Sequence, residues 1–239
     1  MTSPETRVAG STRPVLALRV DNADGGRPLT FVPERLVCCG WVGRDRAALQ
    51  AHIDELAHVG VKPPTRVPIF MNFSPGLLTL DDEMEVVSQT TSGEVEYVLL
   101  CRGDDMWVTV GSDQTDRSVE THSIVASKQM CGKYVASRCW AYADVAAHWD
   151  QLLLRCWITA GAERSLYQES PLAAILAPGE LVARLPGGLG PVPAVLFSGT
   201  IATRGGLVYA DAYELELEDP VLGRSIRGSY RVRTLAQHT

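Results

Sequence analysis

The sequence predicts a mainly β fold with a few helices, which places it in the α+β class, and three observations lead to this prediction. From residue 84 onward, short segments rich in Val, Leu, Tyr and Trp alternate with Gly and Asp turns, as in strands joined by tight loops. Helical periodicity is confined to three segments. With 46% hydrophobic residues among 239, the chain can form one sizeable globular domain, alone or with a small appendage.

The first fourteen residues differ in composition from the rest of the chain. They are polar and contain Pro and Gly, so we expect a flexible arm or an edge strand over residues 1–14. The apolar pattern begins near Val15, and we expect a single domain over residues 15–239.

The first helix is predicted over residues 45–59. Leu49, Ile53 and Leu56 recur there at i, i+4 and i+7, which is the spacing of one apolar helix face. Asp45 has the short carboxylate side chain that caps helix N-termini, and a glycine follows the segment.

The other predicted elements are two more helices and a series of short strands. A second helix is predicted over residues 142–152, where Val145, Trp149 and Leu152 share a face, and a short third helix follows Pro178. Strands are predicted over residues 69–73, 84–87, 94–102, 106–111, 152–159, 194–197, 213–217 and 229–234.

The charge pattern excludes a nucleic-acid partner. The formal net charge is −6, and the Lys and Arg residues are scattered rather than collected in a basic stripe. No stretch approaches the roughly 18 apolar residues of a membrane span, and the start lacks a basic segment followed by an apolar one. We therefore expect a soluble, cytoplasmic protein without a membrane partner.

The six cysteines indicate neither a zinc site nor a disulfide framework. Cys38 and Cys39 are vicinal and the other four are isolated, so the paired spacing of zinc ligands is missing. We expect reduced and mostly buried thiols.

The segment 94–100 contains the most informative pattern in the chain. A strand there places Glu94 and Glu96 on one face together with apolar residues, while the opposite face is apolar as well. The alternative is an exposed strand end. Two unpaired carboxylates between apolar faces would cost several kcal/mol, and a divalent ion is the most direct compensation.

Asp113 is a third candidate ligand, because it ends a strand that can pair with the glutamate strand. Carboxylate oxygens select Mg²⁺, Mn²⁺ or Ca²⁺ over Zn²⁺. Three carboxylates leave coordination positions open for water or a chelating substrate, which indicates catalysis rather than a structural ion.

Four motifs follow one another along the chain: Gly40 followed by a helix with His52-Ile53-Asp54-Glu55, then Pro68-Ile69-Phe70, Glu94-Val95-Glu96, and Gly111-Ser112-Asp113-Gln114-Thr115-Asp116-Arg117. In this order they resemble the fumarylacetoacetate hydrolase superfamily, and more closely a bacterial branch of it, domain of unknown function 2848. The resemblance spans most of the chain, and Ser127-Lys128 and Ser198-Gly199-Thr200-Ile201 also match it.

The resemblance implies a mixed β-roll with a few covering helices, one catalytic domain and a homodimer. It also implies Mg²⁺ or Mn²⁺ as the cofactor and a small-molecule oxo-acid as the substrate. The residues that it implies are Glu94, Glu96 and Asp113 as metal ligands, Arg117 and Lys128 as substrate contacts, and Gly199 and Thr200 as the holders of the substrate carboxylate.

His52 and Glu55 are interpreted as a catalytic pair. If the first helix closes over the metal, His52, oriented by Glu55, activates a water as general base, and Lys128 joins them in catalysis. The alternative is that His52 is an ordinary, partly exposed residue of an amphipathic helix. His122 and His148 receive no role.

By resemblance, the expected reaction is hydrolytic cleavage of a carbon-carbon bond in an oxo-acid or diketo-acid through a metal-stabilised enolate. One alternative is a decarboxylase, hydratase or isomerase of a 2-oxo acid on the same site. The other is a non-catalytic, metal-dependent binding protein. The sequence names neither the substrate nor the choice between Mg²⁺ and Mn²⁺.

Overall fold

A computed structural model describes residues 13–22, 25–47, 49–50, 53–54 and 63–237. The arm predicted over residues 1–14 lies almost wholly outside these ranges. The strands, in chain order, are β1 (Leu16–Val20), β2 (Arg27–Phe31), β3 (Arg35–Gly40), β4 (Ile69–Phe73), β5 (Leu78–Thr79), β6 (Glu83–Val86), β7 (Thr91–Ser92), β8 (Val95–Arg102), β9 (Asp105–Asp113), β10 (Thr115–Asp116), β11 (Lys133–Val135), β12 (Arg138–Ala141), β13 (Leu153–Ala160), β14 (Glu163–Pro171), β15 (Ala194–Phe197), β16 (Ala212–Asp219) and β17 (Arg224–Thr234).

Strands dominate the fold, at 46% of the described residues against 18% in helix, so the predicted mainly β, α+β class is confirmed. Among the described residues, the larger sheet has ten strands and runs β2-β1-β12-β9-β8-β15-β3-β4, with β11 joining β9 to β5. The smaller sheet runs β14-β13-β16-β17-β6, and β7 pairs with β10. Most pairs are antiparallel, but β1 with β12, β3 with β15, β5 with β11 and β6 with β17 are parallel. The curled mixed sheet is the predicted β-roll.

Strand β8 lies in the middle of the larger sheet and is buried on both faces, as the sequence predicted. Val95, Tyr97 and Leu99 belong to one hydrophobic core, which includes residues of the smaller sheet. Val98 and Leu100 belong to a second core on the other face. Strand β8 pairs with β9 on one edge and with β15 on the other, and one of these two cores covers each of its faces.

The helices are short. In the first predicted helix, the described residues 46–47, 49–50 and 53–54 are helical, and the Asp45 side chain accepts the Ala47 amide as an N-cap. The third predicted helix spans Pro178–Arg184 and is confirmed. Two short helices that the sequence pattern did not indicate span Arg117–Glu120 and Ile124–Gln129.

The prediction of a single helix over residues 142–152 is wrong in the type of helix. The segment forms two 3-10 helices, Tyr142–Asp144 and Ala146–Gln151, with non-helical backbone at His148. Val145, Trp149 and Leu152 are buried as predicted. Three apolar residues can therefore share a buried side without an α-helix, because a 3-10 helix has a similar period over so short a distance.

All six cysteines are buried and free, which confirms that prediction. In the described ranges, no helix is both long enough and apolar enough to cross a lipid bilayer.

Candidate metal centre

The three predicted ligands meet where β8 begins and β9 ends. Glu94 immediately precedes β8, and its carbonyl accepts the Asp113 amide at 3.0 Å. Glu96 follows two residues later on the same side of the strand. One carboxylate oxygen from each of the three residues lies within 4.8 Å of the others. The paired strands therefore bring together the ligands that the sequence separates.

A glycine opposite Glu96 makes the close approach of the strands possible. Gly111 is the register partner of Glu96. A Cβ atom at this position would lie 2.5 Å from the Tyr134 carbonyl oxygen and 2.7 Å from Val98 Cγ2. These distances are below any van der Waals contact, so a side chain here would push the strands beside the carboxylates apart.

On one side of the cluster, the carboxylates are paired with cations. Lys128 Nζ donates to Glu94 Oε2 and to Asp113 Oδ2, both at 2.7 Å. Arg117 Nη2 donates to Glu94 Oε1 at 2.9 Å. Burial alone would raise the pKa of Glu94, but Lys128 and Arg117 outweigh it and lower that pKa to about 2. Glu94 is therefore ionised at neutral pH.

A second buried lysine, Lys133, lies on the other side of Asp113. Its Nζ is 2.8 Å from Asp113 Oδ1. It donates its three protons to the backbone carbonyls of Gln114, Lys128 and Cys131. Lys133 thus supplies positive charge to Asp113 Oδ1 but no hydrogen bond, and this oxygen has no donor among the described residues.

Glu96 differs from the other two ligands because no cation forms an ion pair with it among the described residues. Its Oε2 accepts the Gly199 amide at 2.7 Å, and its buried Oε1 has no hydrogen-bond donor in the same ranges. Burial, together with the nearby charge of Asp113 and Glu94, raises the pKa of Glu96 well above its usual range. The side chain is fully buried.

The donor set fits a divalent cation. Among the described residues, Glu96 Oε1 is buried with neither a hydrogen-bond donor nor an ion-pair partner for Glu96, although such atoms are normally satisfied. All three side chains offer hard oxygen ligands, which Mg²⁺ and Mn²⁺ prefer.

The second sheet also reaches this cluster. Tyr230, on β17, has its hydroxyl 2.8 Å from Ser112 Oγ, and Ser112 Oγ accepts the Glu94 amide at 3.2 Å. The Tyr230 hydroxyl also donates to Gln114 Oε1 at 2.7 Å. The contact between the Tyr230 and Ser112 hydroxyls therefore links the smaller sheet to the backbone of Glu94.

The predicted substrate contacts lie beside the carboxylates. Besides Glu94, the Arg117 guanidinium donates to Ser92 and Glu120. The Gly199 amide is already bonded to Glu96, and Thr200 Oγ1 donates to the Val95 carbonyl. In this state these groups order the ligands, and their contact with a substrate stays a prediction.

The predicted catalytic pair, His52 and Glu55, lies outside the described residues. His122 and His148, which received no role, pair with Thr121 Oγ1 and with the buried Asp219. Two residues at the site, Lys133 and Gln168, were not predicted from the sequence. Neither belongs to a motif: Lys133 resembles a solvated lysine after a turn, and the strand that contains Gln168 was not predicted.

Comparisons with known proteins show the family and the fold of this chain. A family model described as a protein of unknown function, DUF2848, matches residues 39–230. A search of curated proteins gave no match.

Solved structures share the fold at low sequence identity. A candidate fumarylpyruvate hydrolase from Burkholderia cenocepacia is 17% identical, with 98% of this chain and 100% of that chain covered, at a TM-score of 0.62. A 5-carboxymethyl-2-hydroxymuconate delta-isomerase from Mycobacterium smegmatis is 14% identical, with 89% and 82% covered, at 0.59. A 2-keto-3-deoxyarabinonate dehydratase is 15% identical, with 86% and 75% covered, at 0.59. The predicted DUF2848 branch is confirmed by the family match, and these solved structures show the fold that the resemblance predicted.

Proposed function

We infer that this chain, which belongs to the DUF2848 family, is a divalent-metal-dependent enzyme that acts on a small oxo-acid or diketo-acid. One observation carries the proposal: Glu96 Oε1 is buried without a donor beside two further carboxylates. A buried carboxylate oxygen without a partner is costly, and a cation shared with Glu94 and Asp113 removes that cost. The solved structures with this fold support the proposal, since those named above carry the names of enzymes acting on oxo-acids or related acids.

Glu94, Glu96 and Asp113 would hold Mg²⁺ or Mn²⁺. When bound, the ion would polarise a substrate carbonyl and stabilise negative charge on it. Lys128 and Arg117 hold Glu94 in place through charge-assisted hydrogen bonds, and their positive charge favours an anionic substrate beside it. Lys133 Nζ lies 2.8 Å from Asp113 Oδ1 and adds positive charge beside that carboxylate.

Hydrolysis of a carbon-carbon bond is the proposed reaction. It requires a base that activates water, and His52, oriented by Glu55, is the proposed base. The second candidate is a lyase or isomerase reaction on the same site, which a dehydratase and an isomerase among the solved structures with this fold favour.

The choice between these reactions is tested with His52→Ala. If His52 is the base, the variant keeps wild-type Mn²⁺ affinity and loses about a hundredfold or more in turnover of acylpyruvates. Turnover is measured by following the loss of substrate absorbance, with oxaloacetate decarboxylation assayed in parallel. Equal turnover by variant and wild type would rule out His52 as the base and favour the lyase or isomerase reaction.

The ion site itself is tested with two small anions. Three carboxylates fill about half of an octahedral shell, so adjacent positions remain for a chelating 1,2-dioxygen group. Oxalate should raise the unfolding temperature only when Mg²⁺ is present, and acetate should raise it far less. Stabilisation by oxalate without the metal, or equal stabilisation by acetate, would contradict the proposal.

A further inference from the structure

The backbone between the two glutamates lacks a strand neighbour on one edge. Strand β15 pairs with β8 only from Val98 to Cys101, and its last contact with this edge is the Ser198 amide on the Tyr97 carbonyl. Beyond that point two side chains replace the missing strand at Val95. Gln168 Oε1 accepts the Val95 amide at 3.1 Å, and Thr200 Oγ1 donates to the Val95 carbonyl at 2.8 Å.

A β-bulge aims Gln168 at this edge. The register between β13 and β14 shifts at Cys156 and Trp157, which leaves Tyr167 without a partner on β13. Tyr167 and Gln168 are consecutive, yet both are buried, whereas neighbours on a regular strand face opposite sides. The bulge therefore turns Gln168 from the smaller sheet into the interior, towards β8.

The partners of Gln168 fix the orientation of its amide. The Val95 amide can only donate, so Oε1 faces it, and the Ile201 carbonyl can only accept, so Nε2 faces it at 2.6 Å. Nε2 also donates to Thr200 Oγ1 at 2.9 Å. Each hydrogen-bonding direction of this fully buried side chain is thus used on the backbone of Val95 or on residues 200–201.

Residues 200–201 directly follow the glycine that orients Glu96. The Gly199 amide donates to Glu96 Oε2, and Gly199 has a φ of +86° with Val42 Cγ2 2.8 Å from where a Cβ would lie. This loop can therefore present its amide to Glu96 only in one narrow conformation. Gln168 restrains residues 200–201, which follow Gly199 on its C-terminal side.

We propose that Gln168 is a positioning residue for the ion site: it sets the spacing of Glu94 and Glu96 through Val95 and holds the Gly199 amide on Glu96. This inference rests on the proposed function, since it concerns the geometry of the same ligands. Gln168 touches neither ligand side chain. Its expected effect is therefore on the affinity and symmetry of ion binding rather than on the chemistry itself.

The test is Mn²⁺ titration of Gln168→Leu by calorimetry, with the electron paramagnetic resonance spectrum of bound Mn²⁺ as a second readout. We expect a 10- to 100-fold loss of affinity, the usual effect of removing a group that orients metal ligands, and an altered zero-field splitting. The matched control is Thr109→Val on β9, which removes a part-buried hydrogen bond from Thr109 Oγ1 to the Arg138 carbonyl of β12 and should leave both readouts unchanged.

If Gln168→Leu does not fold, Thr200→Val replaces it, because this variant removes the hydroxyl between Gln168 and Val95. Its Mn²⁺ affinity should also fall, measured without substrate. Wild-type affinity and spectrum in the tested variant would overturn the inference while leaving the proposed function intact. Failure of the wild-type protein to bind Mn²⁺ would instead overturn the proposed function, and the inference with it.

Discussion

Two networks of charged side chains in this molecule differ in their burial and in how completely their charges are paired. On the outer face of the smaller sheet, Glu169, Arg155, Glu216 and Arg227 form a row of alternating charge across four strands, with each pair directly opposite in register. Arg227 is 76% exposed and the Arg155–Glu169 pair is 2.7 Å long at a partly exposed site, while Glu216 is buried between Arg155 and Arg227. Every charge in this row has a partner of opposite sign.

The buried network around Lys128 has the same kinds of groups but a different balance. Lys128 is 7% exposed and Asp113 is not exposed at all. Water cannot screen or replace a missing partner there, so each pairing has a larger weight. The unmatched oxygen of Glu96 lies in this network and not in the exposed row. The difference teaches that a carboxylate oxygen without a hydrogen-bond donor indicates a ligand site only where water cannot reach that oxygen.

Lys128→Met is the substitution with the largest expected effect on the difference between the two networks. The variant leaves Glu94 and Asp113 buried with less compensating charge, so we expect the metal-free protein to lose about 3–5 kcal/mol of unfolding free energy. Urea denaturation measures this loss, and added Mn²⁺ should restore part of it. A loss as small as that of an exposed pair would mean that burial does not distinguish the two networks.

Acid should weaken the buried network in a defined pH window. The pKa of Glu94 is lowered to about 2 in the folded protein, so its contribution is present above the unfolded-state pKa of about 4.3 and is lost as pH falls towards 2. A lowering of this size corresponds to about 3 kcal/mol. Denaturation of wild type and Glu94→Gln between pH 5 and pH 2 tests it, and the variant should show the flatter pH dependence.

Glu96→Gln sharpens the distinction within the buried network. Burial and the nearby charge of Asp113 raise the pKa of Glu96 well above its usual range, so a neutral amide at this position should change the stability of the metal-free protein little. The Mn²⁺ affinity should nevertheless fall by roughly a hundredfold, since an anionic ligand is lost. Calorimetric titration decides this, with Glu120→Gln as a control outside the ligand set. Equal affinities in wild type and Glu96→Gln would exclude Glu96 as a ligand.

The smallest effect is expected in the exposed row. Arg227→Ala leaves Glu216 paired with Arg155, so the unfolding free energy should change by less than about 1 kcal/mol, and less still in high salt. Urea denaturation at two salt concentrations is the measurement. A large, salt-independent loss would place this row in the same class as the buried network.

The sequence predicted the parts of the site that depend on local periodicity. The strands 94–102 and 194–197 and the grouping of Glu94, Glu96 and Asp113 as candidate ligands follow from alternation and from motifs along the chain. Lys133 and Gln168 could not be predicted. The role of Lys133 arises from a turn that brings three backbone carbonyls to its ammonium group. The role of Gln168 arises from a β-bulge that turns its side chain into the interior. The 3-10 segments at residues 142–151 were missed because three apolar positions do not distinguish helix types.

The contact between Tyr230 and Ser112 has a consequence for protection against hydrogen exchange. Through it, and through Gln168, the smaller sheet is attached to the backbone of the ligands. Movements that separate the two sheets must therefore also disturb the carboxylates. An ion bound between these carboxylates would oppose such opening, and we expect Mn²⁺ to slow amide exchange in β14 and β17 as well as in β8. The binding energy of one small ion would in this way stabilise strands that never touch it.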